Sequence, residues 1–122
     1  MTAIRTLIAE DDFMIAWFLE ELLVAMGHEV CAVVADQAAT VAAAQEHLPD
    51  LMIVDEGLRE GSGIAAVAQI LQTRFVPHIF ATGDRFCVLT HNPDAVVLQK
   101  PYTAKALTQA IEQALQAPAE PA

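Results

Sequence analysis

Basic residues are scarce: six lysines and arginines stand against sixteen aspartates and glutamates, for a formal charge of −10. A phosphate backbone calls for a basic surface, so nucleic acid is disfavoured as a partner, and anionic membrane surfaces are disfavoured on the same ground. Cysteine is also rare. Cys31 and Cys87 lie too far apart for a zinc or thioredoxin-type spacing, which leaves two buried free thiols. The four histidines, His28, His47, His78 and His91, include no i, i+4 pair and read as structural or surface groups rather than metal ligands. No uninterrupted apolar run approaches the roughly 20 residues needed to cross a bilayer. The opening Met-Thr-Ala-Ile-Arg-Thr leads into a short apolar run without the cleavage site of a signal peptide. Together these features point to a cytoplasmic protein.

What the chain does have is apolar content. Of its 122 residues, 55% are hydrophobic, too many for a disordered chain of this charge and enough for one domain with a real core. The acidity is uneven: twelve of the sixteen acids lie in residues 1–60, where only Arg5 and Arg59 oppose them. Residues 61–122 are balanced. No linker divides the chain, so residues 1–117 are expected to form one domain and residues 118–122 a fraying tail.

Short apolar or β-branched runs alternate with longer amphipathic ones, the pattern of an α/β fold whose parallel sheet is covered by helices. Strands are expected at Ile4–Ala9, Val30–Ala35, Leu51–Asp55, His78–Ala81 and Ala95–Leu98. The first helix spans Phe13–Met26 and stops at Gly27; Asp36 caps a second, Ala-rich helix that runs to His47. Glu56–Gly63, with three glycines, reads as a loop before a helix over Ile64–Thr73. Thr103 caps a last helix to Gln116, with Leu107, Ala110, Ile111, Ala114 and Leu115 on its buried face.

Ligands of open α/β sheets bind beyond the carboxyl ends of the strands, so the residues there indicate the chemistry. The first strand ends in Glu10-Asp11-Asp12 and the third in Asp55, followed by Glu56. The fourth leads into Thr82-Gly83 and the fifth into Lys100-Pro101. Crowded carboxylates repel unless a cation intervenes, and a hard divalent ion with oxygen ligands, Mg²⁺, is the economical solution. A metal-neutralised aspartate beside a lysine and a hydroxyl suits phosphoryl transfer, with the carboxylate as nucleophile. The structural alternative is that Asp12 and its neighbours only cap the first helix.

Leu-Ile-Ala-Glu-Asp-Asp, Leu-Met-Ile-Val-Asp, Phe-Ala-Thr-Gly and Leu-Gln-Lys-Pro-Tyr, in that order, resemble the four signatures of the response-regulator receiver domain of two-component signalling. The resemblance implies a doubly wound, flavodoxin-like sheet of five parallel strands in the order 2-1-3-4-5. It implies that Asp55 accepts a phosphoryl group, and that Glu10 and Asp11 hold Mg²⁺ with Asp55 and the backbone carbonyl of Gly57. Thr82 matches the hydroxyl that bonds the phosphoryl group on activation, and Lys100 the lysine that pairs with it. The Lys100–Pro101 bond is expected to be cis, and Gly63 to close the loop after Asp55. The implied donor is a sensor histidine kinase or a histidine phosphotransfer protein, and the implied output a downstream protein target, from a monomer or weak homodimer.

Two departures stand out. Val97 occupies a position often held by an aromatic switch residue, and the short span from Gly83 to Gln99 allows only a short or irregular fourth helix near Arg85–Thr90. The Phe-Ala-Thr-Gly motif resembles a receiver subgroup often found without an output domain, so a single-domain response regulator is expected. Gly83 leaves the approach to Asp55 open. Asp84 either orients a water, repels a negatively charged partner, or is a solvated loop carboxylate. On the first helix Ile15, Phe18, Leu19, Leu22 and Met26 form the expected core face. Phe13, Trp17 and Val24 lie opposite, where Trp17 either docks a kinase or phosphotransfer helix or packs on a neighbouring loop. The expected product is a switch that catalyses only its own phosphorylation and slow dephosphorylation. Two other readings stay open: an aspartate-nucleophile phosphatase of the haloacid dehalogenase type, which usually carries a second aspartate where Gly57 stands, and a degenerate receiver used only for protein binding.

Overall fold

A computed structural model describes residues 3–116 of the chain. Its main sheet is built from β1 (Arg5–Ala9), β2 (Glu29–Val34), β3 (Leu51–Asp55), β6 (His78–Thr82) and β7 (Val97–Gln99). All neighbours are parallel, in the order β2-β1-β3-β6-β7, which is the expected 2-1-3-4-5 arrangement. Five helices cover it: α1 (Phe13–Ala25), α2 (Gln37–His47), α3 (Gly63–Leu71), α4 (Arg85–His91) and α5 (Ala104–Gln116).

The period-two alternation of the strands divides the core between the two faces of the sheet. Ile8, Leu51, Ile53 and Ile79 pack with Ala16, Leu19 and Leu23 of α1 and Leu107, Ala110 and Ile111 of α5. Leu7, Met52, Val54 and Phe80 pack on the other face with Val41 of α2, Val67 and Ile70 of α3 and Val88 of α4. A central strand buried on both faces explains why residues 51–54 are apolar without interruption.

The helix starts are set by short polar side chains. Asp12 accepts from the amides of Met14 and Ile15 at 3.0 and 3.2 Å, and Asp36 from Ala39 at 2.7 Å. Thr103 caps α5 through the Ala106 amide at 3.1 Å. Gly27 ends the first unit at φ +88°, a conformation that a side chain would strain.

Several expectations need correction. The segment expected to be a plain loop contains an antiparallel pair, β4 (Gly57–Leu58) and β5 (Gly61–Ser62), and α3 starts at Gly63 behind a Ser62 cap. β7 starts at Val97 because a turn, closed by the Ala95 amide on the Asn92 carbonyl, uses up Ala95. Leu115 is largely exposed: Leu107, Ala110, Ile111 and Ala114 fill the buried stripe, and Leu115 falls at its edge. On α1 the buried stripe is Ala16, Leu19 and Leu23, flanked by Leu22 and Met26. Phe18 is 47% exposed and only tilts against the Tyr102 ring at 6.5 Å. Cys31 and Cys87 are free thiols, but half-buried. The fourth helix is indeed short, seven residues, and the Lys100–Pro101 bond is cis. The expected tail, residues 118–122, lies outside the described residues. Among the described residues no helix is long and apolar enough to cross a membrane.

Candidate functional site

Parallel register brings the strand ends together. Ala9 pairs with Val54, Asp55 with Ala81, and Thr82 with Gln99, so the residues following β1, β3, β6 and β7 emerge on one rim. This is where the chain changes direction across the sheet, between β1 and β3, and where such folds open a crevice.

The Lys100 ammonium stands between two carboxylates at that rim, 2.7 Å from Glu10 Oε1 and 2.7 Å from Asp55 Oδ2. The Glu10 side chain is 4% exposed, Asp55 12% and Lys100 20%, so water screens this triad little. Burial, reinforced by contact with Asp55 and opposed by Lys100, pushes the Glu10 carboxyl up to about 7. Burial pulls the Lys100 ammonium down, but its bonds to Asp55 and Glu10 outweigh that and leave it raised. Asp11 completes the cluster: one carboxylate oxygen from each of Glu10, Asp11 and Asp55 lies within 4.8 Å of the others. Three hard oxygen donors at that spacing, with one lysine as their compensation, fit a divalent cation of the Mg²⁺ type. Such an ion supplies charge neutralisation to oxygens that gather beside Asp55.

The flanking glycines have distinct tasks. The Gly57 amide donates to Asp55 Oδ1 at 3.1 Å, and the space where its side chain would stand is open. Space is equally open at Gly83. Gly63 is the opposite case. A Cβ there would collide with the Asp55 carbonyl and sit 2.6 Å from Val54 Cγ1, so only glycine lets α3 start this close to the end of β3.

Thr82 is buried at the end of β6, but its hydrogen bonds are not to Asp55. Its hydroxyl donates to Glu56 Oε1 at 2.8 Å and accepts from the Asp84 amide at 2.9 Å. Glu56 was visible in the sequence only as one more acid at a strand end; its reach to a residue 26 positions away is a product of register. The Glu56 carboxylate and, after it, burial raise the Cys87 thiol of α4. Asp84 is the N-cap of α4, with Oδ1 facing the Cys87 amide at 3.4 Å, rather than a free loop carboxylate. Gln99 reaches across the rim to the Gly83 carbonyl at 2.8 Å. Val97 packs into the core on the α2–α4 face.

Beside the acidic cluster runs a groove of about 490 Å³, walled by Phe13, Trp17 and Glu20 of α1, Val33 of β2 and Arg59. Phe13 is 80% exposed and Trp17 52%.

The chain resembles known proteins along nearly its whole length. The model of the response regulator receiver domain matches residues 6–112. The phyllosphere-induced regulator PhyR of Methylorubrum extorquens is 36% identical over 93% of this chain and 44% of its own length. The transcriptional regulatory protein PdtaR of Mycobacterium tuberculosis is 33% identical over 91% of this chain and 56% of its own. The chain thus spans about half the length of the curated relatives it matches. Among solved structures, the solution structure of the Erythrobacter litoralis PhyR response regulator REC domain superposes with a TM-score of 0.87 at 31% identity, covering 100% of this chain and 97% of that one. The anti-anti-sigma factor PhyR of Bartonella quintana gives 0.84 at 30% identity, over 94% of this chain and 48% of that one. With the fold, the acidic rim and these likenesses in agreement, the chain belongs to the response regulator receiver family of two-component signalling.

Proposed function

We propose that Asp55 takes a phosphoryl group from the phosphohistidine of a sensor histidine kinase or a histidine phosphotransfer protein, and that the modified domain then engages a downstream protein target in the cytoplasm. An Asp55 carboxylate oxygen attacks phosphorus. The new O–P bond forms as the phosphoramidate P–N bond breaks, and the imidazole nitrogen leaves with the electron pair and takes up a proton. Glu10, Asp11 and Asp55, joined by the Gly57 carbonyl, would hold Mg²⁺. Lys100 stays beside Asp55 and steadies the negative charge on the transferring oxygens. Thr82 donates its hydroxyl proton to the bound phosphoryl group.

The observation that carries this reading is the clamp of Lys100 on Asp55 and Glu10, 2.7 Å to each, with Asp11 alongside. It presents a nearly dry nucleophile with its counter-charge already in place. Gly57 brings no side chain to the position where an aspartate-nucleophile phosphatase keeps its general acid, which favours a stored acyl phosphate over turnover. Incubation with Mg²⁺ and acetyl phosphate, followed by intact mass over time, tests it. An adduct of one phosphoryl group that is absent in Asp55→Asn supports the switch. Release of phosphate without accumulation supports a phosphatase, and no reaction supports a binding module.

A further inference from the structure

Glu56 follows the acceptor directly, and its backbone is pinned from both sides. Its amide donates to the Ala81 carbonyl at 3.2 Å, and its carbonyl accepts from the Gly63 amide at 2.8 Å. Held this way, the side chain meets the Thr82 hydroxyl at 2.8 Å. A threonine hydroxyl has one proton to give. While Glu56 Oε1 receives it, that proton is not available to an oxygen on Asp55. The accepting side of the same hydroxyl is engaged by the Asp84 amide, and Thr82 is 1% exposed, so water does not substitute for either partner.

We propose that Glu56 is a positioning residue that keeps Thr82 in its resting orientation by occupying that single proton, and that phosphorylation of Asp55 throws the switch by drawing the proton away from Glu56. The inference rests on the reading of Asp55 as acceptor. A phosphoryl group on the adjacent residue brings strong anionic acceptor oxygens to compete for the hydroxyl, and its charge repels the Glu56 carboxylate. Turning the hydroxyl also withdraws it from the Asp84 amide. Asp84 caps α4 through a long, 3.4 Å contact, so the loosened element is this seven-residue helix and the loop that Gln99 ties at Gly83. The route requires no aromatic rotamer, which suits a chain with Val97 at that position.

The test compares phosphorylation rates with acetyl phosphate and Mg²⁺ for the whole chain and for Glu56→Ala, Glu56→Leu and Glu56→Gln, each with and without Thr82→Val. Removing the acceptor frees Thr82, so Glu56→Ala and Glu56→Leu speed phosphorylation about tenfold, the factor expected for one hydrogen bond to a half-exposed charged group. Glu56→Gln keeps an acceptor oxygen without the charge and stays within about threefold of the parent rate. In the Thr82→Val background, Glu56→Ala and Glu56→Leu keep only the small gain from the lost charge and stay within about threefold of Thr82→Val alone. Glu56→Leu keeps the side-chain bulk, so a folding defect in Glu56→Ala does not decide the outcome. A purely structural role slows every variant, and a purely electrostatic role speeds Gln and Ala alike; either result overturns the latch. If the parent chain is labelled at Asp55 and neither Ala nor Leu is faster, the latch alone falls. If the parent is never labelled, the acceptor reading falls and the latch with it.

Discussion

Magnesium binding to this receiver should release a proton in neutral solution, because Glu10 stands near the middle of its titration before the ion arrives. Burial holds the Glu10 carboxyl at about 7 in the metal-free protein, but the ion binds it only as a carboxylate. At about pH 6 roughly a tenth of Glu10 is ionised, and at about pH 8 roughly nine-tenths, so apparent Mg²⁺ affinity should rise about tenfold between them. Proton release should fall from about 0.9 per ion at the lower pH to about 0.1 at the higher. The sign for stability follows from the same shift. The folded-state value lies above the unfolded value of 4.5, so over that interval the native state binds more protons than the unfolded chain. Metal-free stability should therefore fall as pH rises from about 4.5 to about 7, and saturating Mg²⁺ should oppose that fall. Calorimetric titration in two buffers of different ionisation enthalpy measures the protons directly, and Glu10→Gln should abolish the release. An affinity that is flat across this range, with no proton released, would refute the placement of Glu10 as a buried ligand.

Other outcomes follow from single contacts. Lys100→Met leaves Glu10 and Asp55 facing each other uncompensated, and should cost about 2–4 kcal/mol of metal-free stability in urea titration, with much of it recovered in Mg²⁺. Unchanged stability in chelator would mean that the 2.7 Å clamp contributes nothing. Gly63→Ala drives a Cβ into the Asp55 carbonyl and should cost about 1–3 kcal/mol, because α3 must shift; a variant as stable as the parent would show that the loop is loose. Trp17→Ala should leave stability within about 1 kcal/mol, since half the ring is already in water. Stopped-flow transfer from a protein phosphodonor should slow while labelling by acetyl phosphate stays constant, and equal effects on both donors would remove the docking role.

The acidic rim was legible because its parts are local. Each carboxylate stands at the end of an apolar run long enough to read as a strand, and parallel register then brings the ends together without further instruction. The uninterrupted run 51–54 marked a strand buried on both faces, and Asp12, Asp36 and Thr103 marked helix starts. What stayed hidden depends on distance or on size. The strands of the hairpin, Gly57–Leu58 and Gly61–Ser62, are two residues each, too short to show any alternation. The Glu56–Thr82 bond links strand ends 26 residues apart, and no local pattern announces it. On α1 periodicity weighted by large side chains gives alanine little weight, so it does not mark the buried Ala16, and the same weighting places the half-exposed Phe18 inside. The excess of acid first excluded partners. In the fold it marks the crevice, with five acids at or beside the ends of β1 and β3.

The most direct test of the account is the location of the phosphoryl group itself. The chain would be loaded with a phosphodonor in Mg²⁺, the acyl phosphate reduced with borohydride, and the digested peptides sequenced by mass spectrometry. Reduction of the aspartyl phosphate should convert residue 55 alone to homoserine, and chelation of the metal should prevent it. Homoserine at any other aspartate, or an unmodified residue 55 in a folded, Mg²⁺-loaded protein, would contradict the claim that Asp55 is the acceptor.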